Sequence, residues 1–323
     1  MQTFHMYVAS CVPDGGIYHY ICENGKLNEI SKTPADRPMY LALRGDRLYA
    51  VLREPFADNT NSGVCWWNID ADGNLYGQSR ILSTGGRCGC HLAVENDHIY
   101  VANYLSGSLC MLPEGKLAIH SGSGPHPTRQ EAPHVHFVGT TPDKKWLLAV
   151  DLGVDTIYMY SSDLQMSKPV SMPAGHGCRH LAWSEDGKYC FCVNELASTL
   201  SVLRYERDTL VLADTIPLLP AGERPENNTA AAIRVVGERI YISIRGCDRI
   251  VVLSHHDGVL TKPVWVAAEG KSPRDIHVID DLLFSTNENS DCVTAFRIAE
   301  DGLKSLNTRI SVPKPLCVIF GNN

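Results

Sequence analysis

The 323-residue sequence predicts an all-β fold, a seven-bladed β-propeller, and three observations predict it. A two-part unit recurs seven times along the chain, apolar runs of four to seven residues alternate with Gly, Asp and Asn turn signals, and no dozen-residue window carries an apolar stripe of helical period. A β-sandwich would also be all-β, but it gives no reason for seven repeats.

Each unit opens with a short segment in which Pro, Gly or Cys precedes a polar residue, and continues with an apolar strand that ends on a polar residue. The copies are Pro38 to Leu41 with Leu48 to Glu54, Gly89 to Leu92 with Ile99 to Tyr104, Pro133 to His136 with Leu147 to Asp151, and Cys178 to Leu181 with Tyr189 to Glu195. Ala230 to Ile233 with Ile240 to Arg245 and Pro273 to Ile276 with Leu283 to Glu288 follow, and Pro315 to Val318 stands last. The starts are separated by 51, 44, 45, 52, 43 and 42 residues, the spacing of a four-stranded blade. The last copy has no second strand after it. His5 to Ser10 has the missing form, so an N-terminal strand is expected to complete the seventh blade and close the ring. Asp14-Gly15-Gly16, Asp72-Gly73-Asn74, Glu185-Asp186-Gly187, His256-Asp257-Gly258 and Asp301-Gly302 punctuate the outer hairpins. One domain is expected over residues 1–323.

Apolar residues make up 44% of the chain and charged residues 20%, ordinary values for a protein with a substantial core. A net charge of -7 gives no basic footprint for nucleic acid or an anionic membrane. No long uncharged apolar run offers a membrane span, and Met1 to Ser10 lacks the charged and apolar regions of a secretory signal, so a cytoplasmic protein is expected. Twelve cysteines include no C-x-x-C. Cys190 and Cys192, two apart in a strand, fit small buried residues of a reduced protein better than a disulfide or zinc site.

Equivalent positions in successive blades form rings about a propeller axis. The ends of the second strands, Glu54, Asn103/Tyr104, Asp151, Asn194/Glu195, Arg245 and Asn287/Glu288, should therefore face one another, with His91, His134, His136, Arg179, His180 and Arg274 as a second ring. Arginine forks bind carboxylate or phosphate oxygens, and His and Glu move protons near neutral pH. The expected catalytic residues are His134, His136 and Glu195, with Arg179, Arg245, Asn103, Tyr104, Asp151 and Arg274 binding substrate. Each has a structural alternative: the arginines as bridges between blades, the His134/His136 pair as hydrogen-bonded structure, Asp151 as a turn residue.

The strings Val101-Ala102-Asn103-Tyr104, Arg129-Gln130-Glu131, Pro133-His134-Val135-His136, Asp151-Leu152-Gly153-Val154-Asp155, Cys178-Arg179-His180-Leu181, Val193-Asn194-Glu195-Leu196, Arg245-Gly246 and Ser272-Pro273-Arg274, linked by the blade repeat from about residue 5 to 320, resemble the lactonase propeller family of bacterial 6-phosphogluconolactonases and fungal 3-carboxy-cis,cis-muconate lactonizing enzymes. The resemblance implies an active site holding one histidine of the His134/His136 pair with Arg179, Glu195 and Arg245. It implies a small anionic lactone as substrate, hydrolysis of 6-phosphogluconolactone as the leading activity, no cofactor or metal, and a monomer or weak homo-oligomer. Ile244 stands where many members have Asn, and Gly89 where proline is usual. The alternatives are a muconate cycloisomerase, a Ca²⁺- or Mg²⁺-dependent lactonase, and a non-catalytic scaffold that presents its rim to proteins.

Overall fold

Each repeat unit folds as one antiparallel sheet whose inner strand is the motif segment and whose second strand is the apolar run. The computed structural model describes residues 3–57 and 60–321; the domain expected over 1–323 also includes Met1, Gln2, Asp58, Asn59, Asn322 and Asn323, which lie outside them. Pro38–Arg44 pairs with Arg47–Leu52, Gly89–Glu95 with His98–Asn103, Val135–Thr140 with Leu147–Asp151, and Cys178–Trp183 with Tyr189–Asn194. Thr229–Val236 pairs with Arg239–Arg245, and Pro273–Ile279 with Leu282–Asn287. Outer strands complete each sheet, and the seven inner strands pack side by side in a closed circle, Pro315–Gly321 meeting Pro38–Arg44.

Closure uses both ends of the described chain. Thr3–Ser10 lies between Gly16–Glu23 and Pro315–Gly321, with Met6 opposite Phe320 and Val8 opposite Val318. Met6, Tyr7, Val8 and Ala9 are fully buried, so the strand is a central member of its blade. Because successive residues of a strand face opposite ways, the apolar runs bury both faces between neighbouring blades. Leu48, Ala50 and Leu52 of the first blade, for example, pack on Tyr7, Ala9, Cys317 and Ile319 of the last. The expected burial of Cys190 and Cys192 is observed, and all twelve cysteines carry free thiols. No helix among the described residues is long and apolar enough to cross a membrane.

The motif has a structural meaning that its spelling does not show: every inner strand breaks register near its start. Pro38 pairs Leu52 but Tyr40 pairs Val51, Gly89 pairs Asn103 but His91 pairs Ala102, Val135 pairs Asp151 but Phe137 pairs Val150, and Cys178 pairs Asn194 but His180 pairs Val193. Ala230/Ile233, Pro273/Asp275 and Pro315/Cys317 repeat the break. Such a bulge leaves one residue unpaired and re-aims its side chain. The residues concerned are Met39, Cys90, His136, Arg179, Ala231, Arg274 and Leu316, with Ala232 also unpaired in the fifth blade. This register corrects the third copy of the repeat. Its equivalent first residue is Val135, not Pro133, because Pro133 and His134 belong to the loop before the strand.

Candidate active site

Six of the bulged side chains, Met39, Cys90, His136, Arg179, Arg274 and Leu316, line a narrow cavity on the propeller axis together with Tyr40, His180 and Asp275. The bulge thus delivers three chemically active residues, His136, Arg179 and Arg274, to one place from three blades. Asp275 lies among them already paired, its Oδ1 at 2.8 Å from Arg234 Nη2.

Glu195 is the electrostatic centre. Its Oε2 accepts from Arg179 Nε at 2.9 Å and lies 3.0 Å from Arg245 Nη2, while Oε1 accepts from Arg129 Nη2. Burial alone would raise the Glu195 carboxyl, but Arg245 and Arg179, with His136 and Arg129 behind them, outweigh it and hold the group well below the ordinary carboxylate range. Burial and the nearby Arg245 lower Arg179 to about 10, so it stays a cation at neutral pH; its Nη1 also donates to the Ala231 carbonyl at 2.5 Å. Arg274 pairs with Glu288 at 3.2 Å. Four guanidinium groups therefore meet two carboxylates, and the cleft carries two surplus positive charges.

His136 packs edge-on against Tyr104 and His180, and burial, then Arg179, pushes its pKa well below the ordinary value. It is a neutral imidazole whose Nδ1 makes no hydrogen bond among the described residues. His134 differs. Its ring stacks on Tyr104 at 4.4 Å, Nδ1 donates to the Tyr104 carbonyl at 3.0 Å, and Nε2 lies 3.2 Å from the Glu131 carboxylate. The structure thus places His134, expected as a catalytic residue, with both ring nitrogens against fixed partners, the Tyr104 carbonyl and the Glu131 carboxylate.

Two further expected site residues do not line the axial cavity. Asp151 and Asn103 are fully buried and bond inward. Asp151 Oδ1 accepts the amides of His134 and Gly153, and Oδ2 meets His120 Nδ1 at 2.6 Å. Asn103 donates to the Thr84 carbonyl and to Ser108 of its own blade. Asn194 and Asn287 bond to their own third strands in the same way. The residue after each strand end, Tyr104, Glu195 or Glu288, is the one that reaches the cleft, while Glu54 sits on the rim near Arg37 and Arg53.

Arg129 was absent from the expected site. It stands on the loop between Lys116–Ile119 and Val135–Thr140, bonded to Glu195 and Tyr104, and only the Arg129-Gln130-Glu131 string pointed to it. Asp155 holds that loop through Gln130 Nε2 at 2.8 Å, and holds the next loop through the amides of Gly175 at 2.7 Å and Gly177 at 2.6 Å. Asp155→Ala is expected to cost about 3 kcal/mol, since three charge-assisted bonds are lost in a buried setting, read as a lower urea midpoint at constant m.

No three His, Cys, Asp or Glu side chains converge as metal ligands among the described residues. Another cavity, of about 520 Å³ beside His5, Tyr7 and Asp70, lies at the other end of the closing strand, and no arginine lines it among the described residues.

The family model for seven-bladed β-propeller lactonases matches residues 5–320. The chain belongs to that lactonase family. A relative from Bacillus subtilis strain 168 named 6-phosphogluconolactonase is 34% identical, the match covering 99% of each chain. Among solved structures, a Bacteroides fragilis protein provisionally named 6-phosphogluconolactonase superposes with a TM-score of 0.90 at 25% identity, covering 99% of this chain and 98% of that one. A periplasmic gluconolactonase of Pseudomonas aeruginosa has the same fold, with a TM-score of 0.88 at 24% identity over 99% of both chains. In this lactonase, then, the axial cleft is built by the bulges that define the repeat.

Proposed function

We propose that this lactonase hydrolyses 6-phospho-D-glucono-1,5-lactone to 6-phosphogluconate. The observation that carries the reading is a neutral His136, with an uncommitted Nδ1, set beside the Arg179–Glu195–Arg245 cluster in a cleft with surplus positive charge. Water gives a proton to His136 as its oxygen attacks the lactone carbonyl carbon. The negative charge that develops on the carbonyl oxygen falls to Arg179 and Arg245, whose preorganisation by Glu195 lowers the barrier. Collapse of the tetrahedral adduct breaks the bond to the ring oxygen, and the His136 imidazolium returns its proton there, leaving a hydroxy acid that ionises in water. Glu195, held ionised by its arginines, acts as a positioning residue and not as a proton carrier.

The reaction takes place in a reducing compartment, the cytoplasm. Twelve unpaired thiols, ten of them buried, fit a chain that never meets an oxidant.

Acid release from a panel of lactones tests the reading. Phosphogluconolactone is expected to be the best substrate, with activity retained in chelator. His136→Asn should lower kcat about a hundred- to ten-thousand-fold with KM nearly constant. Turnover of carboxymuconolactone in preference to the sugar lactone, or an active His136→Asn protein, would overturn it.

A further inference from the structure

Beside the axial cleft, on the face where the second strands end, lies an open depression of about 360 Å³. Arg245 belongs to both: Nη2 is 3.0 Å from Glu195 on one side, and the same side chain lines the depression on the other. We propose that this depression, built on Arg245, Lys271, Ser272 and Asn289, is the subsite for the phosphate monoester of the substrate. The proposal rests on the lactonase reading above and adds what that reading leaves open, the place where the phosphate sits.

The first support is the supply of uncommitted donors. Arg245 Nε is buried and has no hydrogen-bond partner among the described residues, while Nη2 of the same guanidinium faces Glu195. The side chains of Asn227, Thr229, Lys271, Ser272 and Asn289, all lining the depression, take part in no side-chain hydrogen bond or ion pair among the described residues. Asn227, Lys271 and Asn289 are exposed and free to turn to a ligand, whereas Thr229 and Ser272 are half-buried and Arg245 Nε is buried. A buried donor is ordinarily satisfied within a protein, so Arg245 Nε left free at this concavity marks a place for an acceptor-rich ligand.

Charge is the second support. The neighbouring cleft carries two surplus positive charges, and in the depression Lys271 offsets Asp248, so the two together keep a surplus of two. A phosphate monoester dianion balances that surplus; a neutral sugar lactone does not. Asp248 is the only acid lining the depression, and its Oδ1 is turned to the backbone amides of Ser272 at 2.7 Å and Gly246 at 3.3 Å.

The third support is rigidity. Gly246 holds φ at +101°, and a Cβ there would lie 2.1 Å from the Asn227 carbonyl oxygen, so the floor admits only glycine. Ser272 is held at φ +58° before Pro273. A floor fixed in this way presents its donors without an ordering cost when the anion arrives.

Lys271→Gln and Ser272→Ala, assayed on 6-phosphogluconolactone and on glucono-1,5-lactone, test the assignment. The expected result is a fall of about tenfold or more in the ratio of kcat/KM for the phosphorylated over the unphosphorylated lactone, through KM, with a matching weakening of competitive inhibition by inorganic phosphate. A ratio within twofold of wild type in both variants overturns the subsite while leaving the lactonase reading intact. If the wild-type protein hydrolyses neither lactone, calorimetric titration with inorganic phosphate decides the subsite separately. Binding that Lys271→Gln weakens supports it, and binding unaffected by either variant, or absent in wild type, removes it.

Discussion

Glu195→Gln is expected to reduce kcat/KM for phosphogluconolactone by about a thousandfold and to lower the unfolding free energy by about 3–5 kcal/mol. The charge removed is the common partner of Arg129, Arg179 and Arg245, and Arg179 and Glu195 are both almost completely buried. Without it three guanidinium groups face one another, and the geometry that awaits the carbonyl oxygen relaxes. Because the defect is excess positive charge, inorganic phosphate should raise the melting temperature of the variant more than that of wild type. A neutral isostere that merely lost packing would show no such rescue. Full activity in a folded Glu195→Gln protein would remove the cluster from the mechanism.

Acid should destabilise this protein well above the range where carboxylates titrate. His91 and His136 both meet His180 near the axis, and Tyr40 meets His91 and His180, with ring centroids of His91 and His180 5.1 Å apart; burial together with Arg179 or Arg234 pushes all three pKa values well below the ordinary 6.5. The folded protein keeps them neutral, whereas the unfolded chain takes up their protons near pH 6.5. Stability is therefore fully present above that pH. Below it each imidazole favours unfolding by up to about 1.4 kcal/mol per pH unit. His19, pushed down to about 4 by burial and His5, and His277, pushed down to about 3 by burial and Arg234, act in the same direction. The depressed Glu195 carboxyl acts in the same direction in a lower window: its contribution is present above pH 4.5 and is lost as the pH falls further. Urea midpoints measured from pH 7.5 to 5 should fall steeply, and His180→Phe, whose Nε2 has no partner to lose, should flatten the slope by about one proton. Unchanged midpoints over that range would show that these rings are protonated or solvated in the folded state.

The ring of seven sheets, its closure by residues 5 to 10 and the gathering of Arg179, Glu195 and Arg245 were all legible, because period and strand patterning survive in a single sequence. Parity was not. A bulge inserts one residue at the start of every inner strand, so the side chain aimed at the axis falls where simple alternation places it between blades. That is why His136 and His134 could not be told apart from spacing, and why Asp151 and Asn103 were assigned to a cleft that their successors reach. In the third blade Pro133-His134 imitates the motif two residues early, and only the pairing of Val135 with Asp151 exposes the imitation. Arg129 escaped for a different reason. It stands on a loop between blades, and a loop has no periodicity to betray which of its residues turns inward.

The seam in the last blade also sets an order of assembly. Ser10 Oγ donates to the Pro313 carbonyl across a sequence separation of 303, so the strand that holds Ser10 is made long before its neighbour. Six blades can gain their sheets as they leave the ribosome, but the seventh must hold a sticky, largely apolar ribbon in waiting until Pro315–Gly321 arrives. A nascent chain stalled before Pro313 should therefore be protease-sensitive at Thr3–Ser10 and prone to self-association, and the arrival of Pro315–Gly321 should close the seam.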